Sequence, residues 1–417
     1  MSSSTPTVVI VDPFSTGADL APCFAAAGWQ TIAVLSTPDL PDLYLGRIRG
    51  DDFAEVVVHH GDLAATTAAA AAHRPIAVVA GTEIGVPMAD ALAAALGVPG
   101  NDPARSAARR DKIVMAEITA AAGLATPATL RCADGVSATA WAAAADQWPV
   151  VVKPVDSAGA DGVRFCADVD EVREAVDALV GVTNRMGSRN DTVVVQEMLV
   201  GIQYFVNTVS RAGRHYVAEI WRDSRTRVPG AGLVCDREDL LPAHGDPQDL
   251  VAGYVCDVLD ALGIAWGPAH TELMLTARGP VLIETAARMQ GTILHEAVVA
   301  ATGESHVTLT AEAITDPARF DTRTGTGYPL SRAISVVSLI APVDGHFGDA
   351  ATIDELCTLP SVHDILGDIT ADGPVERTVD LFTAPGFLYL VADSSGDIER
   401  DYQRIRAIEH NGLYTTR

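Results

Sequence analysis

Residues 270–291 read HTELMLTARGPVLIETAARMQG, and this stretch decides how the rest of the chain is interpreted. Two runs rich in β-forming residues, 270–275 and 281–285, flank a turn with adjacent glycine and proline. The pattern predicts an antiparallel hairpin. Each strand carries one acid near its centre, Glu272 in the first and Glu284 in the second.

The spacing of the hairpin predicts that the two acids face each other. A register that pairs Leu275 with Val281 places Glu272 opposite Glu284. Cross-strand partners have Cβ atoms about 4.5–5.5 Å apart, where like charges repel. A shared Mg²⁺ would relieve the repulsion, because it binds carboxylates together with water and phosphate oxygens. Arg288 could then donate to the same phosphates. The alternative is a solvent-facing hairpin with two unrelated acids.

Composition and charge limit the class of protein. The chain has 417 residues and 48% hydrophobic content, which predicts a large core in roughly two to four domains. Its formal net charge of −25 argues against a nucleic-acid or anionic-membrane partner, since binding phosphate backbones depends on Lys and Arg. An anionic nucleotide would therefore need a local basic pocket.

The cysteines and the N-terminus predict a cytoplasmic protein. No CxxC or Cys/His ligand spacing occurs, so neither a disulfide framework nor a zinc site is supported. The N-terminal run MSSSTPTVVIVD lacks the basic region of a signal peptide, and no apolar run is long enough to span a membrane. The six cysteines are Cys23, Cys132, Cys166, Cys235, Cys256 and Cys357.

The first hundred residues alternate short β-rich runs with Ala-rich helical segments, which predicts a parallel sheet covered by helices. The dinucleotide fingerprint GxGxxG is absent. Glu83 follows the fourth predicted strand, where open α/β sheets bind ligands. Equally, it could be an acid that stabilises a helix N-terminus.

Two lysines and a loop of small residues predict a phosphate site. Lys112 lies in the middle of a predicted helix, where it could also be a solvated charge. Lys153 ends an apolar strand and precedes a loop with Ser157, Gly159 and Gly162. Small residues let backbone N–H groups approach a phosphate, and a lysine adds charge. An ordinary hairpin is the alternative.

Further along, polar residues end or follow predicted strands. Gln196 and Glu197 end one strand, and Gln203 lies early in the next; these could contact a purine and a ribose, or be ordinary hairpin residues. The stretch RDSRTRVPGAG, residues 222–232, predicts a basic loop in which Arg225 could bind a carboxylate or phosphate, or simply be solvated.

The last hundred residues predict a small α+β domain after a polar linker at 316–327. Its expected strands are 333–340, 375–382 and 387–391, with helices near 352–358 and 397–410. It carries no recognisable chemical constellation, and its expected role is packing support, a lid or a dimer surface.

Taken in order, these stretches resemble the ATP-grasp superfamily of carboxylate–amine ligases, and within it the bacterial L-amino acid ligases that form dipeptides. The resemblance runs over about residues 75–315. The matching motifs are GNDP (100–103), RDK (110–112), VVKP (151–154), SAGADGV (157–163), QEMLVGIQY (196–204), PAHTELML (268–275) and LIETAAR (282–288).

The resemblance implies a multidomain fold of α/β and α+β type. Residues 1–103 would form a Rossmann-like pre-ATP-grasp domain and residues 104–200 the small, lid-bearing ATP-grasp subdomain. The large subdomain with the metal site would span 201–325, and the C-terminal α+β domain 326–417.

It also implies roles for individual residues. Arg288 and Lys153 would be catalytic, and Glu272 and Glu284 would bind Mg²⁺, with two ions expected and Mn²⁺ able to substitute. Further residues would form the amino acid site: Glu83, Arg225, His270, Arg288, Gly291 and Thr292. The ATP site would consist of Lys112, Lys153, Ser157, Gly159, Gly162, Val163, Gln196, Glu197, Leu199 and Gln203.

Two positions depart from the pattern of many ATP-grasp enzymes. Ala286 stands where many relatives have a second metal-binding asparagine, although ETAAR is typical of the amino acid ligases. Gln203 replaces an acid that would contact the ribose.

The implied reaction joins an L-amino acid to a second amino acid or amine through an acyl-phosphate, with release of ADP and phosphate, as in specialised-metabolite synthesis. Its expected partners are these small molecules, with no nucleic acid or membrane, and a homodimer is left open. The alternatives are an ATP-grasp ligase for another carboxylate, an ATP-dependent carboxylase that uses bicarbonate, and a regulatory nucleotide-binding protein without catalysis.

Overall fold

A computed structural model describes residues 5–145, 147–228, 232–323 and 325–416. Residues 1–4, which carry part of the argument against a signal peptide, lie outside these ranges. Within the ranges, no helix combines the length and the apolar character needed to cross a bilayer.

The N-terminal segment is a four-stranded parallel sheet with helices, as its alternating pattern predicts. The strand order is β3-β2-β1-β4. The central strand is wholly buried and consists of Val and Ile after one Thr, as expected for a strand covered on both faces. The elements are β1 (Thr7–Val11), α1 (Leu20–Ala26), β2 (Gln30–Leu35), β3 (Val56–Val58), α2 (Leu63–Ala71), β4 (Ala77–Ala80) and α3 (Val86–Leu96).

A second, antiparallel sheet follows in the order β5-β8-β6-β7. Helices α5 and α6 pack on it and close a separate apolar core. The elements are α4 (Lys112–Ala121), β5 (Thr129–Cys132), α5 (Gly135–Ala145), β6 (Val150–Pro154), β7 (Arg164–Cys166), α6 (Val169–Leu179) and β8 (Val193–Glu197).

The next segment supplies most of an eight-stranded antiparallel sheet. Helix α7 packs on four of its strands and contributes to the main apolar core. The elements are β9 (Gly201–Arg211), β10 (Arg214–Val228), β11 (Gly232–Leu240), α7 (Gln248–Leu262), β12 (Gly267–Thr276), β13 (Gly279–Ala286), α8 (His295–Thr302), α9 (His306–Thr315) and α10 (Pro317–Asp321).

The C-terminal segment extends this large sheet. Its order is β13-β12-β9-β10-β11-β14-β18-β16, so three C-terminal strands continue the sheet that carries the two glutamates. The expected strand over 375–382 is wrong, since only Pro374–Val375 is extended. The elements are β14 (Ala333–Ser338), β15 (Gly345–Phe347), α11 (Ala350–Cys357), β16 (Val362–Leu366), β17 (Pro374–Val375), β18 (Phe387–Ala392), α12 (Ser395–Ile408) and β19 (Tyr414–Thr415).

The basic loop expected at 222–232 is also wrong over its described part. Residues 222–228 continue β10 as a strand that pairs with β11, and residues 229–231 lie outside the described ranges. The run looked like a loop because it is strongly polar. Its side chains are polar because part of the strand faces a cavity, as the geometry below shows.

Candidate active site

A cavity of about 1450 Å³ is lined by the carboxyl edge of the N-terminal sheet, by the small antiparallel sheet and by the large sheet. Every site residue expected from the sequence lines it, apart from Gly162. These are Glu83, Lys112, Lys153, Ser157, Gly159, Val163, Gln196, Glu197, Leu199, Gln203, Arg225, His270, Glu272, Glu284, Arg288, Gly291 and Thr292.

Glu272 and Glu284 are directly opposed on β12 and β13, as expected. The register that led to this expectation is wrong, since Leu275 pairs with Pro280 rather than with Val281. A bulge next to Glu272 adds Ile283 to β13 and shifts the register by one residue. Bulges re-aim side chains near active sites, and this one brings the two acids back into opposition.

Lys112 links Glu284, one of the two opposed glutamates, to the loop of small residues at 157–163. Its Nζ lies 2.7 Å from Glu284 Oε2 and donates to the Ser157 carbonyl at 2.7 Å. The expected mid-helix position is wrong, because α4 begins at Lys112 with Asp111 as its N-cap. The N-terminal position lets the ammonium supply a positive charge beside the opposed carboxylates.

Lys153 lies nearby at the end of β6 and is 6% exposed. Burial, and after it the charge of Lys112, lower the pKa of its ammonium to about 8, against the opposing effect of Glu284 and Glu272. A buried cation beside another cation is unfavourable unless an anion joins them. The pair of lysines is therefore suited to binding phosphate.

Glu272 is ionised despite its buried position. Burial alone would raise the pKa of its carboxyl, but His270 and the guanidinium of Arg225 lower it to about 2. His270 Nε2 lies 3.5 Å from Glu272 Oε1, and the Gln203 amide donates to Oε2 at 3.0 Å. The carboxylate is thus held as an anion whose position is fixed from two sides.

Arg288 and Glu83 join the large sheet to the N-terminal segment. Arg288 Nε donates to Glu83 Oε2 at 2.7 Å, and Arg110 lies 2.7 Å from Glu83 Oε1. Burial raises the pKa of the Glu83 carboxyl, yet Arg288 and Arg110 outweigh it and bring the pKa to about 2. Ion pairs with two arginines in the cavity wall, rather than a helix dipole, therefore stabilise the negative charge of Glu83.

In another part of the cavity, Gln196 and Glu197 end β8 and Leu199 follows it, beside apolar side chains. The Gln196 amide donates to Thr129 Oγ1 at 3.2 Å, and Arg278 pairs with Glu197. The apolar side chains that line the cavity here are Val151, Phe165, Met274 and Ile283. This part of the cavity combines apolar walls with a polar edge, as a planar heterocycle requires.

The loop 157–163, named here the lid loop, is fixed by its glycines. An added Cβ at Gly159 would lie 2.5 Å from the Phe382 ring, and one at Gly162 would lie 2.9 Å from Leu179. Both residues have a positive φ. Gly162 therefore packs the loop against the small subdomain instead of lining the cavity, whereas Gly159 makes its contact with the C-terminal segment.

The C-terminal segment contributes to the cavity in ways that the sequence did not indicate. Residues 366–368, 379–382 and 384–387 line the wall. Arg185 lies 3.5 Å from Asp380 and stacks 5.1 Å from the centroid of the Phe382 ring. These contacts tie the small subdomain to the C-terminal segment across the cavity mouth.

Gly291 and Thr292 form a short loop supported from two sides. Thr292 has φ +57°, an uncommon value for a β-branched residue. Ser15 accepts from its backbone N–H at 3.3 Å, and the Tyr389 hydroxyl donates to its carbonyl. The Thr292 side chain is thereby held at the cavity wall.

Arg225 is the least exposed arginine of the expected basic loop, with 27% of its side chain exposed. Its Nε donates to Asp223 Oδ2 at 2.6 Å. Arg222 also lines the cavity but pairs with Asp239 at 2.8 Å, and Arg227 is exposed outside the cavity. Two of the three arginines thus reach the cavity, each with a different acidic partner.

Comparisons with known proteins agree with this geometry. Residues 146–296 match the model of the ATP-grasp domain. The chain is 30% identical over 423 residues to dapdiamide A synthase of Enterobacter agglomerans, and the alignment covers 97% of each protein.

Two solved structures show the same fold. An L-amino acid ligase from Bacillus licheniformis has a TM-score of 0.74 at 19% identity, over 97% of this chain and 98% of that one. The ADP complex of PurK, an N5-carboxyaminoimidazole ribonucleotide synthetase, has a TM-score of 0.70 at 14% identity, with the same coverage. Because the 30% identity extends along nearly the whole of both chains, the protein belongs to the ATP-grasp superfamily of carboxylate–amine ligases.

Proposed function

We propose that the protein joins an L-amino acid to a second amino acid or amine in an ATP-dependent reaction through an acyl-phosphate. The observation that carries this proposal is the opposed pair Glu272 and Glu284, which shares a cavity with two lysines and Arg288. Dapdiamide A synthase and the Bacillus L-amino acid ligase, both similar to this chain, support an amino acid as the carboxylate substrate and a place in specialised metabolism.

The carboxylates fit a divalent cation. They oppose each other across two strands, and in the ligand-free protein the Lys112 ammonium lies beside one of them. Oxygen ligands from carboxylates, water and phosphate suit Mg²⁺. We infer that Glu272 and Glu284 hold two Mg²⁺ ions, with Mn²⁺ as a substitute; bound metal would neutralise phosphate charge and template the transfer.

Nucleotide would lie along the lid loop. Lys112 and Lys153 would bind its phosphates, and Ser157, Gly159 and Val163 would cover them. The adenine would occupy the apolar part of the cavity. Gln196, Glu197 and Leu199 would form its polar edge, and Gln203 would lie between the ribose and Glu272.

The amino acid would lie between the N-terminal segment and the loop at 291–292. Glu83 offers a carboxylate to the substrate ammonium, and Arg288 offers a guanidinium to its carboxylate. His270, Gly291 and Thr292 would complete this part of the wall, and Arg225 would complete the opposite side.

The chemistry requires positioning and charge stabilisation rather than a protein nucleophile. The substrate carboxylate oxygen attacks the γ-phosphorus, and ADP leaves. Arg288 stabilises the charge that develops on the transferred group. The amine then attacks the acyl carbon, and phosphate leaves with the oxygen that came from the substrate carboxylate. Neither step uses a protein nucleophile, so no Ser/His/Asp triad is needed.

The reaction fits a reducing compartment that contains ATP. All six cysteines are free thiols in the structure, and free thiols are typical of cytoplasmic proteins. We therefore place the enzyme in the cytoplasm.

The proposal is tested by incubating the protein with ATP, Mg²⁺ and pairs of amino acids, and by measuring ADP, phosphate and dipeptide. We expect equal amounts of the three products for productive pairs. Arg288→Met should abolish product, whereas Arg227→Met, a matched change outside the cavity, should not. Nucleotide binding without turnover on any carboxylate would indicate a regulatory protein, and turnover only with bicarbonate or a non-amino-acid carboxylate would indicate another ligase.

A further inference from the structure

A second pair of acids is directly opposed in the large sheet. Asp223 on β10 pairs with Glu238 on β11, and a bulge lies next to the pair, after Ser224. This repeats the arrangement of Glu272 and Glu284, and both pairs line the same cavity. Opposed carboxyls at this separation repel each other unless a proton or a cation is shared.

One guanidinium serves the two acids. Arg225 donates to Asp223 Oδ2 at 2.6 Å, but Asp223 Oδ1 has no hydrogen-bond partner although the residue is only 6% exposed. Glu238 accepts from the Gln290 amide at 3.1 Å and lies 3.8 Å from Cys235 Sγ. The pair thus has an unsatisfied buried acceptor and room for one more positive charge.

Glu238 has a raised pKa. Burial first, and then the charges of Asp223 and Glu272, raise the pKa of its carboxyl to about 8, against the opposing effects of Gln290 and Arg225. The charged or titratable groups that interact with it are Asp223, Arg225, Cys235, Glu272 and Tyr389.

A chain of polar contacts connects Glu238 to Glu272, one of the two glutamates proposed to bind metal. Gln290 accepts from the Asn207 amide at 2.8 Å, and Asn207 Oδ1 lies 2.8 Å from His270 Nδ1. His270 in turn faces Glu272. Gln290, which donates to Glu238, lies two residues after Arg288 in the chain. This connection fixes Glu238 relative to the reacting groups.

Amide formation needs a group with these properties. An amine is mostly protonated at neutral pH, and an ammonium ion has no lone pair with which to attack a carbonyl. It must bind as a cation and then lose a proton. A pair of opposed acids with one free acceptor atom supplies both the negative charge and the proton acceptor. The neighbouring Cys235 thiol stays protonated, because burial raises its pKa.

We propose that Asp223 and Glu238 bind the ammonium of the second substrate and that Glu238 accepts its proton. This inference rests on the proposed ligase function. The Glu238 carboxylate takes one N–H proton, and the nitrogen lone pair then attacks the acyl carbon. The bond between that carbon and the phosphate oxygen breaks, phosphate leaves with the electron pair, and a second N–H proton goes to the phosphate. Glu238 returns its proton to water.

Hydroxylamine separates this role from a structural one, because it is largely unprotonated at neutral pH and needs no base. Glu238→Gln should lower kcat/KM for the amino acid nucleophile by about 100-fold or more, while hydroxamate formation with hydroxylamine is largely retained. The loss should shrink as the pH rises toward the pKa of the amine, because free amine no longer needs a base.

Two further variants complete the test. Gln290→Met removes the donor that holds Glu238, and it should impair the amino acid reaction more than the hydroxylamine reaction. Glu399→Gln is a matched control, since Glu399 is exposed and pairs with Arg237 on the outside; both reactions should be unchanged. Equal loss with both nucleophiles, or no loss in Glu238→Gln, would overturn the inference. Failure of the wild-type protein to form any hydroxamate would contradict the ligase function itself.

Discussion

Glu284→Gln should remove turnover while leaving the fold intact, because relief of a repulsion partly offsets the lost ion pair. Two electrostatic effects oppose each other at this residue. Its repulsion with Glu272, at about 5 Å and an effective dielectric constant of about 20, amounts to about 3 kcal/mol. Its attraction to Lys112, with the nitrogen and oxygen 2.7 Å apart, is about 6 kcal/mol on the same scale.

The neutral glutamine loses both effects, so the free energy of unfolding should fall by about 3 kcal/mol, about half of what loss of the ion pair alone would cost. Metal binding has no such compensation. Loss of one of two carboxylate ligands should lower kcat by at least about 100-fold, because metal charge stabilisation is worth several kcal/mol in the transition state.

The assay combines a urea unfolding curve in EDTA with a Mg²⁺ titration of kcat. Glu117→Gln is the matched control, since Glu117 is an exposed residue of the helix that begins at Lys112. An unchanged kcat at saturating Mg²⁺ would refute the metal assignment. A fall in the free energy of unfolding of about 6 kcal/mol, the full value of the ion pair, would refute the electrostatic compensation.

Three other outcomes follow from the cavity. ATP affinity should weaken as pH rises above about 8, because ligand-free Lys153 then loses its proton; Lys153→Met should bind ATP weakly at every pH, and a flat wild-type profile would contradict this. Thr292→Trp should shift the carboxylate-side preference toward small amino acids in a competition assay, and an unaltered preference would place the pocket wall elsewhere. Gly159→Val should raise KM for ATP, since its Cβ would lie 2.5 Å from the Phe382 ring; an unchanged KM would show that the lid loop does not need this contact.

The sequence predicted the chemistry of the site better than its geometry. Glu272 and Glu284 were expected to face each other, and they do, but through a register that differs from the expected one. The loop between the strands is shorter than expected, and the added Ile283 compensates for the difference. The alternation of polar and apolar residues along a strand does not reveal a bulge. Only the structure therefore explains why Glu272 and Glu284 still oppose each other.

The pairing of β10 with β11 was not predicted, because polar residues that line the cavity replace the apolar residues expected on one face of a strand. Asp223, Arg225 and Glu238 line a polar cavity, whereas strand prediction expects apolar residues on the inner face. A signal was present in the PGAG run, whose proline and glycines are typical of a turn between two strands.

Long-range pairing was also beyond the sequence. Strands near 333–340 and 387–391 were expected, and both exist as β14 and β18. Their place in the large sheet depends on contacts between distant parts of the chain, which local periodicity does not encode. The contribution of Phe382 to the cavity wall, and the support that Tyr389 gives to the Thr292 loop, were therefore unforeseen.

The central claim is that the substrate carboxylate attacks the γ-phosphorus of ATP. It is tested most directly with an amino acid that carries ¹⁸O in its carboxylate, by mass spectrometry of the released phosphate. The geometry predicts one labelled oxygen in each phosphate and an equal amount of ADP and amide, since the attacking oxygen leaves with phosphorus. Unlabelled phosphate alongside full amide yield, or AMP and pyrophosphate among the products, would contradict the acyl-phosphate mechanism.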